Sequence, residues 1–175
     1  MLTEDIEIVP VNTTETELLR TISIETFTET FANQNTESDM QKYVSERLSS
    51  EQLSKELHSE NSFFYFLKFN QRIIGYLKLN INEAQTEAQG KDCIEIERIY
   101  VKKEFHGKSF GKLLMGKAIE VAKQMQYSFI WLAVWEHNTK AIHFYQKLGF
   151  IDFDKHSFLL GDDLQTDIMM KLKLQ

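Results

Sequence analysis

The sequence contains little cysteine and proline, with one residue of each, and it has no long apolar run. The single cysteine, Cys93, excludes a disulfide bond within the chain, and its apolar surroundings favour core packing over a nucleophilic role. No segment approaches the ~18 consecutive apolar residues of a membrane span, and residues 1–7 carry neither a basic region nor an apolar run. We therefore expect no membrane partner and a location in the cytoplasm.

Positive charge is also scarce. The chain has 20 basic and 26 acidic residues, which gives a net charge of −6 with neutral histidines. Nucleic acid is therefore not an expected partner, because proteins that bind it need a basic surface to hold phosphates. The same charge is compatible with a small cationic substrate, although proteins of many other functions are equally acidic.

Length and composition indicate a single domain over residues 1–175. With 42% hydrophobic residues the chain can form one well-packed core, but it is too short for two. Apolar periodicity predicts strands at 6–9, 63–67, 73–79, 94–101, 129–135, 150–153 and 168–172, and helices at 15–31, 37–57, 112–126 and 139–148. That order is typical of an α+β fold with helices on both faces of a mixed sheet, in α/β/α layers.

The most informative stretch covers residues 94–111, where a predicted strand is followed by a loop with two glycines. A predicted helix then begins at Lys112. The first N–H groups of a helix have no carbonyl partners and carry partial positive charge, so this arrangement can bind phosphate. Gly107 and Gly111 allow the backbone to approach an anion closely, while Lys108 and Lys112 add positive charge.

The loop alone does not identify a phosphate site. It lacks the third glycine of the dinucleotide pattern and the Gly-Lys-Ser/Thr ending of the Walker pattern. An ordinary connection between a strand and a helix explains the loop equally well. Both interpretations therefore stay open for the loop by itself.

A second motif adds a family resemblance. It consists of Asn138, Ala141, Phe144, Tyr145, Lys147, Gly149 and Phe150. Together with the segments 98–101 and 106–111, it resembles the GNAT family of acetyl-CoA-dependent N-acetyltransferases. The resemblance extends from the first helix to the last strand. It implies the GNAT acyl-CoA N-acyltransferase fold, with a mixed, mostly antiparallel central sheet of about seven strands and about four flanking helices.

Within that family the chain is similar to the PaiA type, which are polyamine N-acetyltransferases also described as negative regulators of degradative and sporulation genes. The similar stretches are 23–27, 30–31, 34–35, 96–100, 131–136, 156–158, 161–162 and 165–167. This similarity implies acetylation of spermidine or spermine. Acetylation of protein or peptide amines is the alternative within the enzyme class.

A CoA-binding transcriptional regulator is the alternative from another class. It is disfavoured because the acidic chain has no helix-turn-helix candidate with a basic recognition helix. A homodimer is compatible with the sequence.

Two loop positions depart from the family pattern. His106 stands where the family commonly has Gln or Arg, and Ser109 stands where it has glycine. Neither change removes a backbone N–H, so binding of the CoA diphosphate should persist. Ser109 either adds a hydroxyl donor or caps the helix, and His106 either contacts phosphate or lies exposed to solvent.

The resemblance also implies the residues that contact acetyl-CoA. They are Ile99, Tyr100, Val101, His106, Gly107, Lys108, Ser109, Phe110, Gly111, Lys112, Asn138, Lys140, Ala141, Phe144, Tyr145 and Lys147. The central strand separates from its neighbour so that its backbone pairs with the pantetheine arm, and Tyr145 donates a proton to the CoA thiolate. Structural roles compete with these: Tyr145 in the core, Asn138 as an N-cap and Lys147 compensating the helix dipole.

Two carboxylates on the central strand are candidates for deprotonating the amine. A primary amine with a pKa of about 10.4 is almost fully charged at neutral pH, so a base must remove its proton. Glu95 and Glu97 are two residues apart and share one face of the strand. We expect Glu97 to be catalytic, so that Glu97→Gln reduces activity more than Glu95→Gln. The alternative is that both are solvent-exposed carboxylates.

The acceptor site should combine carboxylates with aromatic faces, because a polyamine carries several positive charges. The candidates are Glu25, Glu29, Phe31, Tyr43, Trp135 and His156. No metal is expected, since His137 and His143 are six residues apart and no cluster of cysteine and histidine exists.

Overall fold

The computed structural model describes residues 5–175, in which seven strands form one sheet. The strands are β1 (Ile6–Pro10), β2 (Ser62–Phe69), β3 (Arg72–Asn80), β4 (Cys93–Val101), β5 (Phe129–Trp135), β6 (Ile151–Leu160) and β7 (Asp163–Lys173). Their order across the sheet is β1-β2-β3-β4-β5-β7-β6. Every neighbouring pair is antiparallel except β4 and β5, which are parallel.

Five α-helices cover the two faces of this sheet. They are α1 (Thr16–Phe31), α2 (Glu37–Arg47), α3 (Ser50–Leu57), α4 (Phe110–Gln124) and α5 (Thr139–Lys147). The sequence predicts about four helices because 37–57 counts as one polar helical segment, with residues 49–51 as a candidate internal restart. That segment divides because the Ser49 hydroxyl accepts a hydrogen bond from the Gln52 N–H at 3.2 Å and so caps a new helix. The predicted α+β architecture in α/β/α layers is confirmed.

Each face of the sheet has its own apolar core. On one face α4 and α5 contribute Leu114, Ala118, Ile142 and Tyr145 to a core that also includes Ile94 and Ile96 of β4. On the other face α1, α2 and α3 contribute Leu19, Phe27, Met40 and Leu53, which pack with Phe66 and Tyr76. Burial on both faces explains the almost continuous apolar run of β5.

The last two strands are longer than the sequence predicted. The predicted polar loop 161–167 is reduced to a turn at Gly161 and Asp162, and β7 begins at Asp163. β6 is an edge strand with mostly exposed side chains, so it lacks the alternation of apolar residues that indicates a strand. Helix α4 begins at Phe110, two residues before the predicted Lys112.

The strands β4 and β5 pair over only four residues. Their parallel register runs from Cys93 opposite Phe129 to Ile96 opposite Leu132 and then stops. β4 also contains an irregularity, because Lys78 of β3 pairs with Arg98 and Leu79 with Ile96, which leaves Glu97 as an extra residue. The two strands therefore separate at the middle of the sheet and leave one backbone edge of residues 99–101 without a strand partner.

A bilayer-spanning helix is not found in residues 5–175, where every helix is too short or too polar.

Candidate active site

A cleft of about 1170 Å³ begins at the loop before α4, passes the gap between β4 and β5, and reaches α1, α2 and the β6–β7 hairpin. Of the predicted acetyl-CoA contacts, those that line it are Ile99, Tyr100, Val101, His106, Gly107, Ser109, Phe110, Gly111, Lys112, Asn138, Lys140, Ala141, Phe144 and Tyr145. Lys108 and Lys147 are exposed and lie outside the lining. The fold thus brings most of the expected residues to one continuous surface.

The first turn of α4 lies at one end of the cleft without a side-chain cap. Ser109 has a left-handed backbone with φ of 65°, and its hydroxyl does not bond to the helix. The alternative that the Ser109 hydroxyl caps the helix is therefore wrong. The Ser109 carbonyl does accept a hydrogen bond from the Lys112 N–H at 3.0 Å. Gly107 has φ of 77°, which glycine adopts without strain. This arrangement leaves N–H groups of the turn available to an anion.

The basic residues in and beside the loop do not all face the cleft. The His106 ring lies 2.7 Å, through Nε2, from the Val101 carbonyl, so the histidine ties the loop to the end of β4. The Lys108 ammonium lies 5.3 Å from the centre of the Phe105 ring. Lys112, in the first turn of α4, lines the cleft, whereas Lys108 does not.

These features fit the pyrophosphate and pantetheine of a CoA molecule. An uncapped helix N-terminus suits the anionic end, and the free edge of β4 suits an arm that hydrogen-bonds as an added strand would. Asn138 lines the same cleft and also caps α5, since its Oδ1 accepts from the Ala141 N–H at 3.2 Å. Its structural and binding roles are therefore compatible.

Tyr145 lies on α5 beside the gap between β4 and β5. It is 8% exposed, packs against Phe144 and Phe150, and lines the cleft. Burial raises the pKa of the phenol well above its ordinary value. The hydroxyl thus stays protonated at any working pH, as a proton donor requires.

A network of four charged side chains adjoins the cleft, which Glu97 and Arg98 of the network also line. Glu56 of α3 accepts from Arg98 at 2.9 and 3.2 Å and pairs with Lys78 at 3.0 Å, while Glu97 contacts both cations. Burial alone would raise the pKa of Glu97, but its ion pairs with Arg98 and Lys78 outweigh this effect and lower the pKa to about 2. Glu97 is thus a buried ion-pair partner rather than an exposed carboxylate.

We expect Arg98→Met to destabilise the fold by about 3–5 kcal/mol, because removing one partner of a buried ion pair leaves the others uncompensated. Glu56 and Glu97 would then share Lys78 alone. Urea unfolding followed by circular dichroism measures the change.

The matched control is Arg72→Met, which removes an exposed ion pair with Glu104 whose side chains are 56% and 53% exposed. Surface pairs of this kind contribute little, so the control should lose less than about 1 kcal/mol. Equal losses in the two variants would contradict a stabilising role for the buried network.

Glu95 has a different environment although it lies only two residues away. It is 2% exposed, lines the cleft, and accepts from the Thr86 N–H at 2.8 Å and from the Asn80 amide at 3.2 Å. Burial and then the neighbouring Glu97 charge raise the pKa of Glu95. The expected shared face is confirmed, since the Asn80 amide also donates to Glu97 at 2.6 Å.

The opposite end of the cleft combines aromatic rings with acidic groups. Phe27 stacks on Tyr43 with ring centres 4.2 Å apart, and Phe31 lies 6.0 Å from Trp135. Of the predicted acceptor candidates, those that line the cleft are Glu29, Phe31, Tyr43, Trp135 and His156. Glu25 is not among them, because it pairs with Lys102 at 2.8 Å.

His156 lies between two carboxylates on this side. Its Nδ1 is 2.9 Å from Glu87 and its Nε2 is 3.3 Å from Asp167. The hydrogen bond to Asp167 is the largest cause of a raised pKa for His156, and Glu87 raises it further. Two ring nitrogens that each face a carboxylate indicate a protonated imidazolium.

Several residues of the cleft and its support were missed from the sequence. They are Glu56, Lys78, Thr86, Glu87 and Asp167. They come from α3, β3, β7 and the loop before β4, and each meets a partner on another element. Lys78 and Asp167 had one local signal, a charged residue inside or beside a strand of apolar residues.

Comparison with known proteins supports the family assignment. Residues 23–150 match the model of the acetyltransferase (GNAT) family. An uncharacterized N-acetyltransferase in the pepI 3' region of Lactobacillus delbrueckii subsp. lactis is 42% identical over 153 residues, which cover 87% of this chain and 88% of that protein. Thialysine N-epsilon-acetyltransferase of Sus scrofa is 39% identical over 82 residues, or 45% of this chain and 48% of that protein.

Among solved structures, PaiA N-acetyltransferase from Thermoplasma acidophilum in complex with coenzyme A has a TM-score of 0.81 and 24% identity. The match covers 97% of this chain and 99% of that chain. A probable acetyltransferase from Staphylococcus epidermidis has a TM-score of 0.77 and 14% identity, with coverage of 98% and 100%. These likenesses confirm the fold.

The chain belongs to the GNAT family of acetyltransferases. It is therefore an enzyme, an N-acetyltransferase that uses acetyl-CoA as its cosubstrate and an amine as its acceptor. Among the described residues, 5–175, no group of three or more side chains is arranged to hold a metal ion.

Proposed function

We propose that this enzyme transfers the acetyl group of acetyl-CoA to a primary amine of a small polyamine such as spermidine, in the cytoplasm. One observation carries the proposal. A single cleft joins the uncapped N-terminus of α4 to an end that is lined by carboxylates and aromatic rings. Anionic and cationic reactants can therefore meet at the gap between β4 and β5.

The cosubstrate end is supported by the related PaiA N-acetyltransferase, which was solved with coenzyme A. Acetyl-CoA supplies an acetyl group activated as a thioester. In this chain the N–H groups near Gly107 and Gly111, with Lys112, would hold the phosphates, and the backbone of residues 99–101 would align the pantetheine arm. Main-chain N–H groups of β4 could also polarise the thioester carbonyl.

We propose Glu95 as the group that accepts a proton from the ammonium form of the acceptor, directly or through water. The neutral nitrogen then forms the bond to the acetyl carbon as the carbon–sulfur bond breaks. Tyr145 donates its hydroxyl proton to the departing sulfur, and the second proton, which the nitrogen loses as the amide forms, restores the phenol through solvent. The products are an acetamide and a thiol, and the proton taken up by Glu95 is released to solvent, so atoms and protons balance.

The choice of Glu95 over Glu97 reverses the order expected from the sequence. A base must bind a proton near the working pH, and ion pairs with Arg98 and Lys78 hold the pKa of Glu97 at about 2. The pKa of Glu95 is instead raised by burial and by the Glu97 charge. Glu97 therefore serves best as a fixed charge that tunes Glu95.

The proposal is tested by following thiol release from acetyl-CoA with a panel of amines. The panel contains putrescine, spermidine, spermine, free lysine and a peptide with a free N-terminus. We expect the highest kcat/KM with a polyamine, because several positive charges complement the acidic end of the cleft. A higher value for the peptide would favour the alternative of protein acetylation.

A regulator acting through DNA is tested separately by a gel shift at several salt concentrations. The net charge of −6 predicts no salt-dependent complex. Light scattering of the same preparation tests whether the protein forms a homodimer.

A further inference from the structure

We propose that Asp167 binds the second ammonium group of the acceptor, at a subsite that it forms with Trp135 and His156. The subsite would make the enzyme select diamines and polyamines over monoamines of the same length. This inference rests on the proposed function, because it assumes that the acceptor amine reacts at the gap between β4 and β5.

The first observation is an incompletely bonded carboxylate. Asp167 is 8% exposed and lines the cleft. Its Oδ2 lies 3.3 Å from His156 Nε2, whereas its Oδ1 is buried and has no hydrogen-bond partner among residues 5–175. Leaving a buried charged acceptor unsatisfied is costly, so a ligand that donates to Oδ1 would gain the bond that the protein does not supply.

A second unpartnered acceptor lies on the same strand. Gln165 is 8% exposed, and its Nε2 donates to Asn35 at 2.7 Å and to Asp163 at 2.9 Å. Its Oε1 has no partner among the described residues. Residues two apart on a strand share one face, but Gln165 does not line the cleft. The subsite therefore rests on the acceptor of Asp167.

The charges around Asp167 indicate that the ligand donating to Oδ1 is a cation. Glu87 and Asp167 contribute two negative charges, and protonated His156 contributes one positive charge. The cluster therefore carries one net negative charge, which one ammonium would neutralise. Above the raised pKa of His156 the cluster becomes more negative, which strengthens the attraction as long as the amine stays protonated.

The sheet places this subsite at a useful distance from the reaction. β7 follows β5, which follows β4, so Asp167 and the gap between β4 and β5 are separated by one to two strand spacings, about 5–10 Å. A short alkyl chain between two nitrogens spans that interval. Trp135 pairs with Asp167 across the strands, and its indole offers a face to the same cation.

The test compares putrescine with butylamine, which has the same carbon chain and only one amine. For the unmodified enzyme we expect kcat/KM to be about tenfold or more higher with putrescine, since hydrogen bonds to charged groups are worth such a factor. Asp167→Asn keeps the shape of the side chain and removes its charge. It should remove most of the advantage of putrescine, so that kcat/KM for the two amines becomes similar.

Glu136→Gln is the matched control, because it removes one negative charge from a side chain near the end of β5 that lies outside the cleft lining. It should keep the preference for putrescine. An unmodified enzyme without such a preference, or an Asp167→Asn variant that loses the same factor with both amines, would overturn the subsite.

A binding measurement separates this inference from the proposed function. Calorimetry with putrescine on the CoA-saturated enzyme should give binding that Asp167→Asn weakens by about tenfold or more. Binding of this kind without acetylation of any amine would retain the subsite and refute the polyamine reaction. If amines are acetylated but putrescine binds equally well to the unmodified enzyme and to Asp167→Asn, the reaction is retained and the subsite is refuted.

Discussion

Replacing Tyr145 with phenylalanine is expected to lower kcat by about 10²- to 10⁴-fold, the usual contribution of a positioned proton donor. The substitution removes one oxygen from a side chain that is packed between Phe144 and Phe150, so the fold should be retained. Burial is the sole cause of the raised pKa of the phenol, so no hydrogen bond within residues 5–175 is lost in the variant. Steady-state thiol release at saturating acetyl-CoA measures the effect.

The physical reason is the charge that builds on sulfur as the thioester bond breaks. In a buried site this charge is poorly solvated, so one hydroxyl placed beside it has a large effect. Tyr127→Phe, which alters a tyrosine outside the cleft, is the control and should leave kcat unchanged. An unchanged kcat for Tyr145→Phe at every pH would remove the proton-donor role.

The second large effect is expected for Glu95→Gln, with a loss of about 10²- to 10⁴-fold in kcat/KM. Glu95 must be ionised to accept a proton, so activity should fall as pH decreases through its raised pKa. Glutamine cannot titrate, and the variant should therefore lose this acid limb. A pH profile of kcat/KM from single-substrate progress curves distinguishes this result from simple misfolding.

Two further variants show whether a change in the pH profile of kcat/KM is specific to Glu95. Glu120→Gln changes a carboxylate on α4 that is 52% exposed. This variant should have the same pH profile as the unmodified enzyme. Glu97→Gln weakens the ion-pair network and should lower the free energy of unfolding more than it lowers the rate. A larger catalytic loss for Glu97→Gln than for Glu95→Gln, in samples that are equally folded, would restore the order expected from the sequence.

The central part of the fold was accessible from local sequence signals. The strand ending at Val101, the glycine loop and the capping Asn138 each follow from neighbouring residues, and the structure contains all three. The family resemblance that they carried is confirmed. Local patterns sufficed there because the backbone, rather than distant side chains, forms that part of the cleft.

The electrostatics of the site could not be obtained in the same way. The sequence places Glu95 and Glu97 on one face and favours Glu97 as the base, yet Glu95 meets Thr86 and Glu97 meets Lys78 and Arg98. Thr86 comes from a loop and Lys78 from the neighbouring strand β3, and neither pairing is encoded locally. The extra residue in β4 also changes which side chains share a face, and no periodicity reveals it.

The two ends of the cleft come from different stretches of the chain. In the proposed function the cosubstrate end uses residues 99–112 and 138–145, whereas the acceptor end draws on α1, α2, Trp135 and the β6–β7 hairpin. The family model ends at residue 150, before that hairpin begins. With these proposed roles, mutations in the hairpin would exchange one amine for another without altering the thioester chemistry, so relatives that share residues 23–150 need not share a substrate.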